Sequence, residues 1–175
     1  MPAHVLVHVA PATPTLSAGI RALRLAPGQR DYAGDVAFNL ANALDDSLSE
    51  PMAILANGRV IGYYRLDFAP RAVVGRDLGM PHAGVRAFCI DERHQGRGLG
   101  ARAATAMLAD LRRRHPEIRL VVLTVHCGNR VAVSTYRRAG FVPTGELQPG
   151  GRAGPQYVML HASVPDMHSR QATAP

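Results

Sequence analysis

From Val85 to Val125 the chain runs strand, glycine-rich turn, helix, strand, and this order does most to limit the fold. Val85 to Ile90 has strand character, Gln95-Gly96-Arg97-Gly98-Leu99-Gly100 forms the turn, and a helix is predicted from about Gly98 to His115. Its apolar face is Ala104, Met107/Leu108 and Leu111, and Arg112-Arg113-Arg114 followed by Pro116 closes it. Leu120 to Val125 is almost continuously apolar, as expected of a central strand covered on both faces. The right-handed crossover rule then places the strand near Leu120 parallel and adjacent to that near Val85.

The flanking segments read as antiparallel. Val5 to Ala10 is a short strand, Thr13-Pro14 caps and starts a helix toward Leu23, and Pro27-Gly28 breaks the chain. One helix is predicted from about Tyr32 to Leu44 on the spacing of Val36, Leu40 and Ala43/Leu44. Met52 to Ala56 and Val60 to Phe68 flank Asn57-Gly58, the signature of a type I′ hairpin. Ala69 to Gly84 has no period and reads as a loop long enough to have a function. Val131 to Ala139 is a short helix ended by Gly140, and strands are expected around Thr144 to Glu146 and Tyr157 to His161. The fold class is therefore a mixed α/β single domain over residues 1–162, with a flexible C-terminal tail over 163–175.

Composition excludes several chemistries. With 175 residues, one domain with a substantial core is expected. The chain has no lysine, so all 20 of its basic residues are arginine. A P-loop nucleotide site and Schiff-base catalysis, which need an amine, are ruled out. The two cysteines, Cys89 and Cys127, form no CxxC, and the eight histidines form no HxxH or HExxH, so no metal site is expected. Met1-Pro2-Ala3-His4 does not open a signal peptide, and no stretch nears the roughly 20 apolar residues of a membrane span, so a cytoplasmic location is expected.

Charge is unevenly spread within the formal +7. Residues 86 to 138 hold eleven arginines against four acids, whereas residues 30 to 50 hold Asp31, Asp35, Asp45, Asp46 and Glu50 against Arg30 alone. One region should favour an anion and the other a cation. In the glycine turn, successive backbone amides and the helix dipole favour a phosphate or pyrophosphate, with Arg93, Arg97 and Arg102 nearby. Gly98-Leu99-Gly100-Ala101-Arg102-Ala103 also fits the dinucleotide pattern G-x-G-x-x-A. That reading fails because Asp91 to Arg97 separate it from the strand, several strands precede it, and the next strand ends in His126 rather than a ribose-binding acid.

Gln95-x-x-Gly98-x-Gly100 matches the pyrophosphate motif of the GNAT superfamily of N-acetyltransferases. Asn129-x-x-Ala132-x-x-x-Tyr136 and Ala139-Gly140-Phe141 continue the resemblance in order and spacing. Within it, Pro51-Met52-Ala53-Ile54, Val60-Ile61-Gly62-Tyr63, the Ile90-Asp91 step and Thr144-Gly145-Glu146 resemble the bacterial spermidine and diamine acetyltransferase branch. The resemblance implies a mostly antiparallel sheet of about six to seven strands, a central parallel pair splayed into a V, and about four flanking helices. It also implies that acetyl-CoA is the cosubstrate and lies in that V.

By position, the backbone at Phe88, Cys89 and Ile90 would bond the pantetheine arm and polarise the thioester. The amides of Gln95, Gly96, Arg97, Gly98, Leu99, Gly100 and Ala101 would hold the pyrophosphate, and Asn129 would meet the pantetheine. Tyr136 matches the acid that protonates the departing thiolate. The general base is open among His126, Glu146, Asp67, Glu92 and a water relay. A cluster such as Asp45, Asp46 and Glu50 would suit a polyamine, though a solvated helix face explains it equally well.

The function expected is direct acetyl transfer to a primary amine of a small molecule, a polyamine or diamine being favoured. Alternatives are a non-catalytic CoA-binding sensor or partner module, or transfer to an aminoglycoside, amino acid or protein amine. The resemblance also admits a homodimer. A nucleic-acid partner is not expected, because aromatic residues make up 5% and none interleave the arginines.

Overall fold

The structure is a computed structural model and describes residues 5–163. A single seven-stranded sheet organises it: β1 (Val7–Pro11), β2 (Ser49–Ala56), β3 (Arg59–Asp67), β4 (His82–Ile90), β5 (Leu120–His126), β6 (Val142–Gln148) and β7 (Gln156–Ala162), in the order β1-β2-β3-β4-β5-β7-β6. Every neighbouring pair is antiparallel except β4 and β5. Four helices of eight residues or more flank the sheet: α1 (Pro14–Arg21), α3 (Val36–Asp45), α4 (Leu99–Arg114) and α5 (Arg130–Arg138). A single helical turn, α2 (Arg30–Ala33), precedes α3.

Local chemistry explains most boundaries. Thr13 Oγ1 accepts the Leu16 N–H at 3.3 Å with Pro14 in the first turn, and Asn57-Gly58 turns the β2–β3 hairpin with φ of 48° and 78°. The helix predicted over Tyr32 to Leu44 is instead two. Gly34 adopts φ 75°, outside helical space, and Asp35 restarts the helix by accepting the Phe38 N–H at 2.9 Å. β4 begins at His82, three residues before the predicted start. The His82 ring meets the carbonyl oxygens of Met80 (2.8 Å) and Pro70 (3.1 Å), fixing both ends of the preceding loop. Ser163, the first residue of the expected tail, donates its N–H to Arg119 O; residues 164–175 lie outside those described.

Two apolar layers cover the sheet. Ile20, Leu40, Leu55, Tyr63 and Cys89 pack beneath α1 and α3, while Ile61, Tyr64, Val85, Met107, Leu111, Val121 and Phe141 build the larger layer on the opposite face. Between them, β4 and β5 pair only from His82↔Leu120 to Val85↔Leu123. Beyond that register β4 stays with β3 as far as Ile90↔Gly62, and β5 stays with β7 as far as His126↔Gln156. The two strands therefore separate while each remains anchored on its outer side, which opens a V in the middle of the sheet.

Candidate active site

The V is the floor of a cleft of about 1400 Å³. β4 supplies Val85 to Ile90, the glycine turn supplies Gln95, Gly96, Gly98, Leu99, Gly100 and Ala101, and α5 supplies Asn129, Arg130 and Tyr136. Every residue expected to hold acetyl-CoA or to protonate its sulfur lines this cleft except Arg97, whose side chain is exposed. Thr124 to His126 form the facing wall, and Asp31, Asp35, Phe38 and Asn39 form the roof.

Helix α4 opens on this cleft. Gly98 precedes its first turn with φ 70°, and a Cβ there would meet nothing within 4 Å, so backbone conformation is what requires glycine. No side chain caps α4, which leaves its first amides free for an anion. Gln95 ties the turn down: its side-chain amide donates to Ile90 O at 2.8 Å and to Gln29 Oε1 at 2.8 Å. Below the turn, buried Asp91 accepts from Arg24 N–H (2.9 Å), Arg93 N–H (2.9 Å) and the Arg93 guanidinium (2.8 Å at both Nε and Nη2). Those bonds, Arg93's above all, hold its carboxyl well below the usual carboxylate range.

The arginines expected around the turn point elsewhere. Arg93 is engaged by Asp91, Arg102 donates to Val5 O, and Arg97 does not line the cleft; Arg130 and Arg138 of α5 do.

Tyr136 lies at the bottom of the V, nearly buried, with its ring edge-on to Phe88 (5.7 Å) and Phe141 (5.6 Å). Burial, reinforced by the neighbouring Cys89, pushes its phenol well above the ordinary value and keeps it protonated. Burial likewise pushes the Cys89 thiol up to about 12, so Cys89 is not a thiolate nucleophile at neutral pH. Asn129 caps α5, its Oδ1 accepting the Ala132 N–H at 3.2 Å.

Of the base candidates, Asp67, Glu92 and Glu146 do not line the cleft. Asp67 is buried among Arg65, Arg86 and Ser49, and Glu146 pairs with Arg76 at 2.6 Å. His126 does line it, but Nδ1 meets Gly154 O at 3.2 Å and Nε2 meets the Gln156 amide at 2.9 Å, so neither nitrogen is free. The acidic cluster resolves against the first reading. Asp46 pairs with Arg65 and Glu50 with Arg114 and His115, both away from the cleft, and Asp31 and Asp35 line it instead. Arg86 and Ala87 are among the wall residues that sequence reasoning missed. Arg86 stood out there only as one arginine in a basic segment, and no local signal marks an alanine that adopts φ 54°.

No group of three His, Cys, Asp or Glu side chains among the described residues is placed to hold a metal, and no described helix is long and apolar enough to cross a membrane. Residues 20–141 match the model of the Acetyltransferase (GNAT) family. The spermine/spermidine N(1)-acetyltransferase of Bacillus subtilis (strain 168) is 25% identical over 145 residues, covering 83% of this chain and 93% of that protein. Among solved structures, an aminoglycoside acetyltransferase, AAC(6')-Ib, with paromomycin and acetyl-CoA superposes with a TM-score of 0.69 at 20% identity, covering 97% of this chain and 99% of that one. Spermidine N-acetyltransferase from Vibrio cholerae with CoA and spermine gives 0.65 at 19% identity, covering 90% and 95%. With the splayed strands, the open α4 terminus and a family match over most of its length, the chain belongs to the acetyltransferase (GNAT) family.

Proposed function

We propose that this protein moves an acetyl group from acetyl-CoA directly to a primary amine of a small molecule, with a polyamine or diamine as the favoured class. The observation that carries the reading is that the uncapped α4 terminus, the unpaired inner edge of β4 and Tyr136 all open on one cleft. Acetyl-CoA needs such an arrangement: amides for its pyrophosphate, a strand edge for its amide-bearing arm, and a proton donor for its sulfur. The residues fit it, because side-chain space above Gly96 and Gly98 is empty and the cleft exceeds the usual small-molecule pocket.

The amides from Gln95 to Ala101 hold the pyrophosphate, and Asn129 flanks the pantetheine. Backbone N–H groups around Phe88 to Ile90 donate to the thioester carbonyl, where negative charge develops as the amine attacks. Tyr136 gives its proton to the leaving thiolate. A buried phenol is a weaker acid than a thiol, so this transfer relies on proximity in a water-poor site. With His126 engaged and the other named acids outside the cleft, the amine proton departs through water. The named activities of the polyamine and aminoglycoside acetyltransferases it resembles support an amine acceptor, and Asp31 and Asp35 supply negative charge for a cationic one.

The test is acetyl-CoA-dependent CoA release against spermidine, spermine, diamines, aminoglycosides and amino acids, with acetylated product confirmed by mass. Turnover with one amine class, and a fall of about a hundredfold in kcat for Tyr136→Phe, is expected. Acetyl-CoA binding without turnover on any amine would point to a sensor, and no binding would overturn the assignment.

A further inference from the structure

One wall of the cleft carries a cation that acetyl transfer does not itself require. Arg86 is the last β4 residue before the strand bulges, and it lines the cleft. Its Nη1 donates to Asp67 Oδ2 at 3.0 Å, the single hydrogen bond of its side chain among the described residues, which leaves Nε and Nη2 free. The side chain is 48% exposed, whereas that of Asp67 is 3% exposed.

Asp67 is itself held in place. It accepts from Arg65 Nε at 3.0 Å and from the Ser49 hydroxyl. Arg65 in turn donates to Asn42 Oδ1 (2.6 Å) and Ser49 Oγ (2.8 Å), so the network spans α3, β2 and β3. A buried ionic network that ends in one half-open guanidinium presents a fixed planar fork to the cleft.

The roof carries the opposite sign. Asp35 lies 3.9 Å from Arg30, while Asp31 enters no ion pair among the described residues. An unsubstituted polyamine brings only positive charge and places some of it against Arg86. A diamine that also bears a carboxylate satisfies both walls: the carboxylate meets Arg86, one ammonium meets the roof acids, and the other amine is acetylated. The geometry points to a diamino acid as acceptor, with Arg86 binding its carboxylate and Asp67 as the positioning residue behind it. The inference rests on the N-acetyltransferase reading above and narrows its diamine class. In the reaction the neutral amine nitrogen bonds to the acetyl carbon and the carbon–sulfur bond breaks; the sulfur takes the Tyr136 proton, the acylated nitrogen loses one proton to solvent, and Tyr136 regains one from solvent.

Matched substrates isolate the carboxylate: lysine against cadaverine, and ornithine against putrescine, differ in that group alone. Wild-type kcat/KM is expected to favour each amino acid at least tenfold over its decarboxylated partner. Arg86→Met should bring that ratio toward one, mainly through KM for the amino acid, and Arg86→Lys should restore part of it. A wild-type preference for cadaverine and putrescine, or a ratio unchanged in Arg86→Met, would overturn the proposal. Because the wild-type ratio decides by itself, a misfolded variant does not rescue it. Turnover confined to unsubstituted amines would sink only this inference, whereas no turnover with any amine would sink the enzyme reading beneath it.

Discussion

At the scale of the residue, the cleft depends on a backbone conformation at Ala87. Strict alternation along β4 would send Val85 and Phe88 to opposite faces, yet both join the apolar layer beneath α4. The β3–β4 register slips between Tyr63↔Cys89 and Arg65↔Arg86, so that Ala87 and Phe88 together oppose Tyr64. Ala87 takes φ 54° there, a left-handed conformation costing an L-residue about 1–2 kcal/mol. Glycine would relieve that strain but loses about 0.5–1 kcal/mol in chain entropy. Ala87→Gly should therefore be more stable by up to about 1 kcal/mol in urea unfolding. Ala87→Val, β-branched at positive φ, should lose about 1–3 kcal/mol and weaken acetyl-CoA binding as the bulge distorts. If glycine and valine behaved alike, the bulge would not be the strained element described.

The glycine turn, as an element, is held by what lies beneath it. Asp91 ties the residues before α2, through Arg24, to the start of the turn, through Arg93. Its depressed pKa fixes the sign of the pH effect. The stabilisation is complete above the ordinary carboxylate value near 4 and is lost as pH falls through the lower folded-state value. Asp91→Asn should cost about 2 kcal/mol at pH 7 and should show a shallower loss of stability below pH 4, read by thermal unfolding across pH 2–7. Equal acid sensitivity in both proteins would place the acid-labile group elsewhere.

Elements of this kind divide into those legible in the sequence and those that were not. Asn57-Gly58, Thr13-Pro14 and Gln95–Gly100 could be read because a turn or a cap is decided by a few adjacent residues. The break at Gly34 was equally local but was masked by the apolar spacing around it. The Ala87 bulge, and the choice of Asp31 and Asp35 over Asp46 and Glu50 as cleft acids, depend on partners distant in sequence. Arg65 and Arg114 take up the second pair of acids, and no spacing rule links those residues.

Across the whole molecule, the formal charge of +7 is a poor guide to where an anion binds. Several of the arginines are committed to acids: Arg65 to Asp67, Arg86 to Asp67, Arg93 to Asp91, Arg114 to Glu50 and Asp110, and Arg113 to Asp110. Arg130 and Arg138 differ, since both line the cleft and neither enters an ion pair among the described residues. Acetyl-CoA carries several phosphate charges, so these two should supply the salt-sensitive part of its affinity, and the α4 amides the less sensitive part. Replacing both with alanine should raise the calorimetric Kd for acetyl-CoA about tenfold at low salt and flatten its dependence on ionic strength. Arg113→Ala removes an equal unit of charge at the far end of α4 and provides the contrast. If Arg113→Ala changed the salt dependence as much as either cleft arginine alone, the net field would govern binding. A response confined to Arg130 and Arg138 would place that charge recognition on the α5 wall.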